Sequence, residues 1–578
     1  MQKIVIRDII SAKAPVFFDK NPKLVNEVLI KFLNSFLRVN EINKFLENNY
    51  LKSGIDFIDA LFEHLNVSYE ITNKDIDKIP AEGRLIIVSN HPLGGLDGLA
   101  MIRAITQVRS DVKIVANDVL QSIENIAKFI LPVDIFSMNK QKYQLLNIEK
   151  ALNNEEAVIF FPSGKVSRLY LNGIHDSKWN NGAIKFSKKL AVPIIPAFVH
   201  ARNSLAFYLN SMIYSPIGMF MLPQELFKKR NSKFRITFGN VIPGNTFKNS
   251  NLKTKIESKL LKQHTYRVAH NKSGLFNTEQ TVIHPVNTRS IIQELNLNTM
   301  LGTTYDKKEI YLVEHEVGKN ILREISRLRE ITFRKVGEGT GKCSDIDVYD
   351  IYYKHIVLWD PIELQIVGSY RLGEVAEIVK RYSKKGLYNS SQFYLSDKFE
   401  SKMMNSIEVG RSFIQPKYWR SNALDFIWQG IGAYISIRPN IKYLWGAVSI
   451  SDSYSELAKG LIIKYYRKWY QGPIDYALPI EEYNISAKIA SEINQCLNGM
   501  TPQEDYLNLK NGLKNLGFTI PVLYRKYIEM TNYGGSQFLS FCVDVNFNNS
   551  IDGLILVNLD ELRDEVKERY YYAKSLVK

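Results

Sequence analysis

Runs of consecutive apolar residues alternate with helix-like patterns through the first half of the chain. The runs lie at residues 85–88, 112–115, 157–161 and 192–199, and short runs of this kind are typical of strands buried on both faces. Before them, residues 21–65 place apolar side chains three and four positions apart, which predicts amphipathic helices. The pattern predicts an α/β domain with a largely parallel or mixed sheet.

The second half begins with a clear strand pattern at residues 309–313. Further strands are predicted at 365–371, 406–414 and 443–448, and helices at 317–330 and 422–437. No internal repeat relates this half to the first. A chain of 578 residues exceeds what one hydrophobic core usually organises. We therefore expect two domains, residues 1–285 and 286–578.

The composition indicates folded domains in a reducing compartment. Apolar residues make up 45% of the chain and aromatic residues 12%, which is enough for packed cores. The three cysteines, Cys343, Cys496 and Cys542, have no metal-ligand spacing, so no metal site is expected. The first residues lack the apolar core of a signal peptide.

A formal charge of +16 favours a negatively charged partner. The candidates are anionic lipid headgroups, an acidic carrier protein and nucleic acid. No zinc-finger, RRM or basic heptad pattern is present, so we expect no nucleic-acid partner. Charge alone does not separate the other two.

The longest stretch without a charged residue is 203–224. It contains Asn203, Asn210, Pro216 and Gly218, which interrupt it, so it does not predict a membrane span. One interpretation is a segment that contacts a membrane or lines an acyl chain. The other is a pair of helices buried in the core.

The first candidate site is Asn90-His91-Pro92-Leu93-Gly94-Gly95-Leu96-Asp97-Gly98, which directly follows the predicted strand at 85–88. A histidine with a nearby carboxylate can remove a proton from a hydroxyl group. His91 would act as the base, and Asp97 would fix its tautomer and stabilise the imidazolium. The other interpretation is a helix cap.

A second block, Phe160-Phe161-Pro162-Ser163-Gly164-Lys165-Val166-Ser167-Arg168, follows another predicted strand. A turn with proline and glycine exposes backbone N–H groups. Lys165 and Arg168 add positive charge beside Ser163 and Gly164. Such a turn can bind a phosphate, a carboxylate or a carrier's phosphopantetheine.

Four blocks in this order resemble the lysophospholipid (glycerol-3-phosphate-type) acyltransferase family. They are NHPLGGLDG, Val115-Ala116-Asn117-Asp118, FPSGKVSR and Val192-Pro193-Ile194-Ile195-Pro196-Ala197. The resemblance covers about residues 60–250 and implies that His91 activates a hydroxyl that attacks an acyl thioester. It also implies acceptor or donor binding around Asn117 and Ser163.

Two departures from that family are present. The spacing from His91 to Asp97 is one residue longer than in the family's NHxxxxD motif, which could displace Asp97. Ser163 stands where the family usually has glutamate. The second departure removes a carboxylate from the acceptor-binding block and argues against a glycerol-phosphate acceptor.

In the second half, Trp428-Gln429-Gly430-Ile431-Gly432-Ala433 matches the Gln/Arg-x-x-Gly-x-Gly/Ala pattern of GNAT-type acyltransferases. Gln429, Gly430 and Gly432 would let backbone N–H groups approach a pyrophosphate. The motif lies inside a predicted helix, so the phosphate contacts could instead lie around residues 418–422, which include Trp419. The alternative is a helix whose glycines serve packing.

A further set of charged and aromatic residues completes a second resemblance, to the ornithine N-acyltransferase (hemolysin-like) family and more distantly to the acyl-homoserine lactone synthases. It covers nearly all of residues 309–565, and those relatives take acyl groups from acyl carrier protein. The residues proposed to bind or react are Arg329, Phe333, Asp345, Asp347, Arg371, Glu408 and Arg411.

The chemistry of these residues suits an amino acid. Asp345, Asp347 and Asp350 could hold its ammonium, and Arg371 or Arg411 its carboxylate. Glu408 is the candidate general base for the α-amine. In the other interpretation, Glu408–Arg411 and Asp347–Arg371 are structural ion pairs.

The order of the two halves resembles the bifunctional ornithine lipid synthases. That resemblance implies that the second half transfers a 3-hydroxyacyl group from acyl carrier protein to the α-amine of ornithine. The first half would then acylate the hydroxyl of the lyso-lipid. No cofactor is implied, and the expected location is peripheral, on the cytoplasmic face of a bacterial inner membrane.

Three alternatives remain open at this stage. The acceptor could be glycine, lysine or another amine in place of ornithine. The chain could be a signal-type N-acyl amino acid synthase with a degenerate first half. A non-enzymatic scaffold that binds lipid or carrier protein is the third.

Overall fold

The computed structural model describes residues 5–13, 23–117, 123–133, 138–213 and 215–571. Contacts divide the chain into two compact units, residues 1–281 and 282–578. Each unit has its own sheet and its own hydrophobic core.

The strands of the first unit are β1 (Ser68–Glu70), β2 (Leu85–Ser89), β3 (Val112–Asn117), β4 (Ile130–Val133), β5 (Ala157–Phe160), β6 (Arg168–Tyr170), β7 (Gly173–His175), β8 (Ile194–His200) and β9 (Lys233–Phe238). Within the described residues, seven of them form one sheet in the order β1-β9-β8-β2-β5-β3-β4. Only β8 and β9 pair antiparallel in this sheet. Strands β6 and β7 form a separate hairpin.

Its helices cover both faces of the sheet. They are α1 (Ile6–Lys13), α2 (Lys23–Phe36), α3 (Val39–Asn48), α4 (Ile55–Leu65), α5 (Asn73–Ile76), α6 (Gly95–Ile105), α7 (Met138–Asn153), α8 (Gly182–Leu190), α9 (Leu205–Ile213), α10 (Ser215–Lys228), α11 (Gly244–Lys248) and α12 (Thr254–Ala269).

The central strand β2 explains this layering, because all five of its residues are buried. Leu85 and Ile87 pack into the core that includes α4 and α6, whereas Ile86 and Val88 face the core that includes α7 and α8. A strand buried on both faces needs an apolar side chain at every position. The predicted α/β class is therefore confirmed, and the parallel strands β2, β5 and β3 end at the same edge of the sheet.

The strands of the second unit are β10 (Thr299–Thr303), β11 (Glu309–Val313), β12 (Lys354–Asp360), β13 (Gln365–Glu374), β14 (Phe393–Leu395), β15 (Ser406–Ile414), β16 (Tyr443–Ile450), β17 (Ala477–Pro479), β18 (Ser536–Asp544) and β19 (Ser550–Asn558). Eight of the described strands form a mixed sheet in the order β10-β11-β12-β13-β15-β16-β19-β18. Its β15–β16 pair is parallel, and the other pairs are antiparallel.

Helices again cover both faces. They are α13 (Thr288–Leu295), α14 (Lys319–Val336), α15 (Val375–Tyr382), α16 (Asp397–Met403), α17 (Ala423–Ser436), α18 (Glu456–Tyr470), α19 (Ala487–Cys496), α20 (Pro502–Asn515), α21 (Val522–Glu529) and α22 (Asp564–Tyr570). Helix α14 packs on the face that carries Val357 and Trp359. Helices α17 and α18 pack on the opposite face, against Ile356 and Leu358.

Strands β15 and β16 are paired over only three positions. The pairs run from Ser406 with Tyr443 to Glu408 with Trp445. Beyond them, β15 continues beside β13 and β16 continues beside β19. A gap therefore opens between two parallel neighbours near the centre of the sheet. The expected mixed-sheet architecture is confirmed.

The uncharged stretch at 203–224 forms α9 and the first part of α10. In the part of the chain that the structure describes, no helix is long and apolar enough to cross a membrane. Phe207 and Tyr208 are fully buried, whereas Leu205, Leu209 and Met212 are exposed by 73%, 58% and 62%. Helix α9 therefore packs on the core through one side and presents apolar side chains on another.

Candidate active sites

His91 and Asp97 lie at the carboxyl end of β2. The Nδ1 atom of His91 lies 3.2 Å from Oδ2 of Asp97. The Asp97 side chain is fully buried, and its oxygens accept hydrogen bonds from the backbone N–H groups of Leu93 (2.8 Å) and Gly98 (2.9 Å). These two bonds fix the carboxylate so that it faces the imidazole.

The longer spacing between the two residues is absorbed at Gly94. This residue has φ +89° and ψ −117°, and helix α6 begins immediately after it. Glycine adopts a positive φ without the steric penalty that a side chain brings. The turn places Asp97 in the first helical turn, so the extra residue does not separate the pair.

His91 has a second acidic neighbour that the sequence analysis missed. Asp176 accepts hydrogen bonds from the backbone N–H of His91 (3.2 Å), from Ser167 Oγ (2.6 Å) and from Trp179 Nε1 (2.9 Å). It is fully buried. A lone aspartate after a short polar hairpin carries no motif, so the sequence offers no signal for this role.

The surroundings of His91 determine its charge. Burial lowers the pKa of His91, but the carboxylates of Asp97 and Asp176 outweigh burial and hold this pKa above its ordinary value. The ring of Phe161 stacks on the imidazole at a centroid distance of 4.2 Å. The result is an oriented imidazole whose proton affinity is increased by two carboxylates.

The turn at 162–168 follows β5, the neighbour of β2. Ser163 Oγ donates to the carbonyl of Lys165 at 2.7 Å, so this side chain stabilises its own turn. Gly164 has φ +60°, and a Cβ atom at this position would meet nothing within 4 Å. The guanidinium of Arg168 lies over the ring of Phe207 at 5.1 Å. Asn117 ends β3, two strands away from β2.

In the second unit, the structure brings three arginines and three aspartates into one buried network on the sheet face covered by α14. Arg329 donates to both carboxylate oxygens of Asp350 at 2.9 and 2.7 Å. Arg371 donates to both oxygens of Asp347 at 2.7 and 2.8 Å. Arg411 and Asp345 are 3.5 Å apart.

Asp345, Asp347 and Asp350 were candidates for the ammonium group, but each is already paired with a guanidinium. The predicted Asp347–Arg371 ion pair is present. Burial opposes the charge of Arg371, yet Asp347 and Asp350 hold its pKa well above the ordinary value.

Two buried donors of this network make no described hydrogen bond, and one of them, Arg411 Nε, lies 3.9 Å from Asp347 Oδ2. Arg371 Nη2 and Arg411 Nε have no hydrogen-bond partner in the described part of the chain. Both guanidinium groups lie 5.0 Å from the ring centroid of Tyr388. Phe333 packs edge-on against Phe547 at 4.9 Å, and Arg411 lies over Phe547. These donors can bind a carboxylate beside the aromatic rings.

Glu408 is surrounded by donors. Its carboxylate accepts from the hydroxyl of Tyr353, from the backbone N–H of Tyr388 (3.2 Å) and from the backbone and side chain of Asn389 (2.7 and 2.6 Å). Among the described contacts there is no Glu408–Arg411 ion pair. Burial raises the pKa of Glu408, and these donors oppose the rise. Glu408 thus holds the segment 388–391 in place.

The loop between β15 and α17 follows the part of β15 that no longer pairs with β16. Trp419 is 49% exposed, and its Nε1 donates to the carbonyl of Ile414 at 2.7 Å. Helix α17 begins at Ala423, so its first N–H groups lie beside this loop, where that of Ala423 donates to Ser421 Oγ at 3.2 Å. Lys417 and Arg420 add positive charge to the same loop.

Gln429, Gly430 and Gly432 lie in the middle of α17, away from that loop. A Cβ atom on Gly430 would lie 2.7 Å from the side chains of Ile310 and Ile356. A Cβ on Gly432 would clash with the carbonyl oxygen of Tyr570. Both glycines allow close packing of the helix. The expected contact of this motif with a pyrophosphate stays a prediction, and the mid-helix N–H groups, which bond within the helix, do not support it.

The two units match different family models. A model described as Acyltransferase matches residues 9–272, and one described as Acetyltransferase (GNAT) domain matches residues 328–429. The fold and these matches define an enzyme that transfers acyl groups. The expected combination of an acyltransferase first half with a GNAT second half is confirmed.

Two curated proteins of Bacteroides thetaiotaomicron are each similar to about half of the chain. A lyso-glycine lipid O-acyltransferase is 31% identical over 254 residues, which is 43% of this chain and 91% of that protein. A glycine N(alpha)-acyltransferase is 29% identical over 306 residues, 50% of this chain and 89% of that protein. The chain belongs to the acyltransferase family.

A third similarity is shorter. The L-ornithine N(alpha)-acyltransferase of Brucella abortus is 29% identical over 140 residues, which is 22% of this chain and 48% of that protein. The chain is therefore similar to proteins that are named for two different amino acids.

Proposed function

We propose that the chain synthesises a diacylated amino-acid lipid and that glycine is the amino acid. The second unit joins an acyl chain to the amine of glycine, and the first unit acylates a hydroxyl on that chain. The observation that carries the proposal is that one polypeptide is similar over most of the length of a glycine N-acyltransferase and of a lyso-glycine lipid O-acyltransferase.

The chemistry of the product requires a hydroxylated first chain. Glycine has no hydroxyl group, so the oxygen that the first unit acylates belongs to the acyl chain added by the second unit. A 3-hydroxyacyl thioester meets this requirement. His91 then serves as the base for that hydroxyl, with Asp97 holding the imidazole.

For the acceptor, Arg371 and Arg411 bind the carboxylate of glycine. Both have an unpartnered N–H in the described structure, and both are buried among aromatic rings. A guanidinium gains more from a carboxylate in such surroundings than it does in water. The amine is then directed toward the gap between β15 and β16.

For the donor, we propose an acyl thioester carried by acyl carrier protein. The supporting features are the chain's charge of +16 and the basic loop with Lys417 and Arg420 at the N-terminus of α17. Acyl carrier proteins are acidic partners of this kind. Coenzyme A is the competing donor, and parallel assays with the two thioesters separate them.

Ornithine is the second candidate acceptor. The similarity to the L-ornithine acyltransferase favours it, although only 48% of that protein is covered. Expression in a host without aminolipids, followed by mass spectrometry of extracted lipids, tests both. We expect mono- and diacylated glycine lipids. Ornithine lipids alone would change the amino acid, and the absence of any new aminolipid would refute the proposal.

The membrane is proposed as the place of the second reaction, because both the substrate and the product are lipids. The exposed apolar side chains of α9 favour peripheral contact with a membrane surface.

A further inference from the structure

The second unit contains a buried carboxylate better placed than Glu408 to receive a proton. Glu408 already accepts from four donors, so an incoming amine would have to displace one of them. Glu338 is also buried, but its side chain accepts one described hydrogen bond, from Ser449 Oγ to its Oε2 at 3.0 Å.

The end of α14 fixes the backbone at Glu338. Gly337 ends the helix in the left-handed conformation with φ +81°, and Glu338 N–H donates to the carbonyl of Phe333 at 2.8 Å. Ser451 Oγ donates to the carbonyl of Val336 at 2.7 Å. The helix terminus is thus tied to the end of β16.

Because the end of α14 is attached to β16, Glu338 lies at the gap between β15 and β16. Ser449 lies on β16 and Arg411 on β15, and both are beyond the last pair of residues that joins these strands. Glu338 bonds to Ser449 and lies close enough to Arg411 for the guanidinium to stabilise its carboxylate. An acyl thioester in the gap would place its carbonyl beside Glu338.

Several buried hydrogen-bond acceptors lie near Glu338. Asp552 lies opposite Ser449 in the sheet, and Asp544 accepts from Gln392 Nε2. Gln392 is 5% exposed, and its Oε1 has no hydrogen-bond partner in the described part of the chain. A buried carbonyl oxygen beside two aspartate side chains favours a ligand with several N–H donors. An ammonium or amine group fits this requirement.

We propose that Glu338 is the general base that takes the proton from the acceptor amine, and that Asp544, Asp552 and Gln392 orient that amine. The inference rests on the proposed N-acylation. The neutral amine attacks the thioester carbonyl carbon, forming the C–N bond as the C–S bond breaks. Glu338 accepts the proton that nitrogen loses and returns it to the leaving thiolate, which departs as the thiol.

The environment of Glu338 suits this role near neutral pH. Burial raises the pKa of Glu338 to about 7, while Ser449 and Arg411 oppose the rise. Burial, together with Asp544 and Glu338, also raises the pKa of Asp552 to about 8. The other titratable groups that face Glu338 are Tyr454 and Tyr524. A base must be deprotonated to act, so N-acylation rises with pH through about 7.

The test is the pH dependence of amide formation by the full chain, with glycine and an acyl thioester, in Glu338→Gln, Glu338→Asp and Ser449→Ala. We expect Glu338→Gln to lower kcat by about 10²-fold or more and to leave thioester binding unchanged. It should also remove the acidic limb of the pH profile, which is the fall in rate toward low pH. Glu338→Asp restores part of kcat. Ser449→Ala moves the limb to higher pH, because it removes a donor that stabilises the carboxylate.

The exposed Glu492→Gln on α19 is the matched control and leaves the profile unchanged. If Glu338→Gln keeps wild-type kcat and limb while the wild type acylates glycine, the inference fails and the proposed function stands. If the wild type acylates only another amine, glycine is wrong and Glu338 is judged on that amine. If the wild type acylates no amine, both the inference about Glu338 and the proposed function are wrong.

Discussion

His91 Nδ1 and Asp97 Oδ2 lie 3.2 Å apart although the sequence spacing is one residue longer than in related motifs. Two backbone N–H groups hold the carboxylate, so its position does not depend on the histidine. With Nδ1 directed at Asp97, Nε2 is the nitrogen that can accept a substrate proton. The pair is therefore oriented before any substrate binds.

His91→Ala should abolish diacyl lipid formation and leave the monoacyl product. Loss of a general base lowers the rate by about 10²–10⁴-fold. The residues of the second unit are unchanged, so the monoacyl product still forms. Lipid extracts of expressing cells measure the ratio of the two products. His64→Ala, a partly exposed histidine on α4, is the control. Unchanged diacyl lipid in His91→Ala would disprove the assigned step.

Asp97→Asn should shift the pH profile of O-acylation to lower pH. Only neutral His91 accepts a proton, so the rate rises with pH through a value above the ordinary 6.5. Removing the Asp97 charge lowers the pKa of His91 and moves the inflection down, while the maximal rate falls. The measurement is the rate with purified monoacyl lipid across pH. An inflection that does not move contradicts the electrostatic coupling.

Asp176→Asn should destabilise the first unit by about 1–3 kcal/mol, because its amide N–H₂ replaces a carboxylate oxygen that accepts a buried hydrogen bond. Ser167→Ala removes only one of those bonds and should cost less. Urea unfolding of both variants, followed by circular dichroism, gives the comparison. Equal stability of Asp176→Asn and the wild type would exclude a structural role for this carboxylate.

Gly432→Ala should destabilise the second unit by about 1–3 kcal/mol, because its Cβ would clash with the Tyr570 carbonyl and displace α22. Gly410→Ala is the matched control, since its Cβ would meet nothing within 4 Å. Thermal unfolding compares them. A wild-type melting temperature for Gly432→Ala would return the motif glycines to a direct role in donor binding.

Leu209→Glu should weaken binding to vesicles that contain anionic phospholipid, because it places a charge on the exposed apolar side of α9. Leu297→Glu, at a leucine of the second unit that is 70% exposed, is the control. Cosedimentation with vesicles measures both. Equal loss in the two variants would point to a general effect of charge.

The sequence predicted the strands that hold the first site because each is an uninterrupted apolar run, as in β2 and β5. It also predicted both members of the His91–Asp97 pair. Asp176 was missed because its contacts depend on how a hairpin folds back over His91. No pattern of spacing encodes such a contact.

In the second unit, the charged residues were recognised, but of their pairings only Asp347 with Arg371 was among the interpretations. Sequence spacing treated the aspartates as free to bind an ammonium, whereas the fold matches each with an arginine. The Gln-x-x-Gly-x-Gly pattern lies within α17, where its glycines allow close packing, and helix packing and phosphate binding both favour small residues. Glu338 follows the glycine that ends α14, and a role for it is suggested only by its place at the gap between β15 and β16.

The division of one polypeptide into two compact units has a consequence for product composition. Separate enzymes can be made in unequal amounts, but two units of one chain are always present in equal number. The proportion of monoacyl to diacyl lipid in a cell then depends on the two turnover rates and the supply of each acyl donor, not on gene expression. Growth conditions that alter one donor would change that proportion while the amount of the enzyme stays constant.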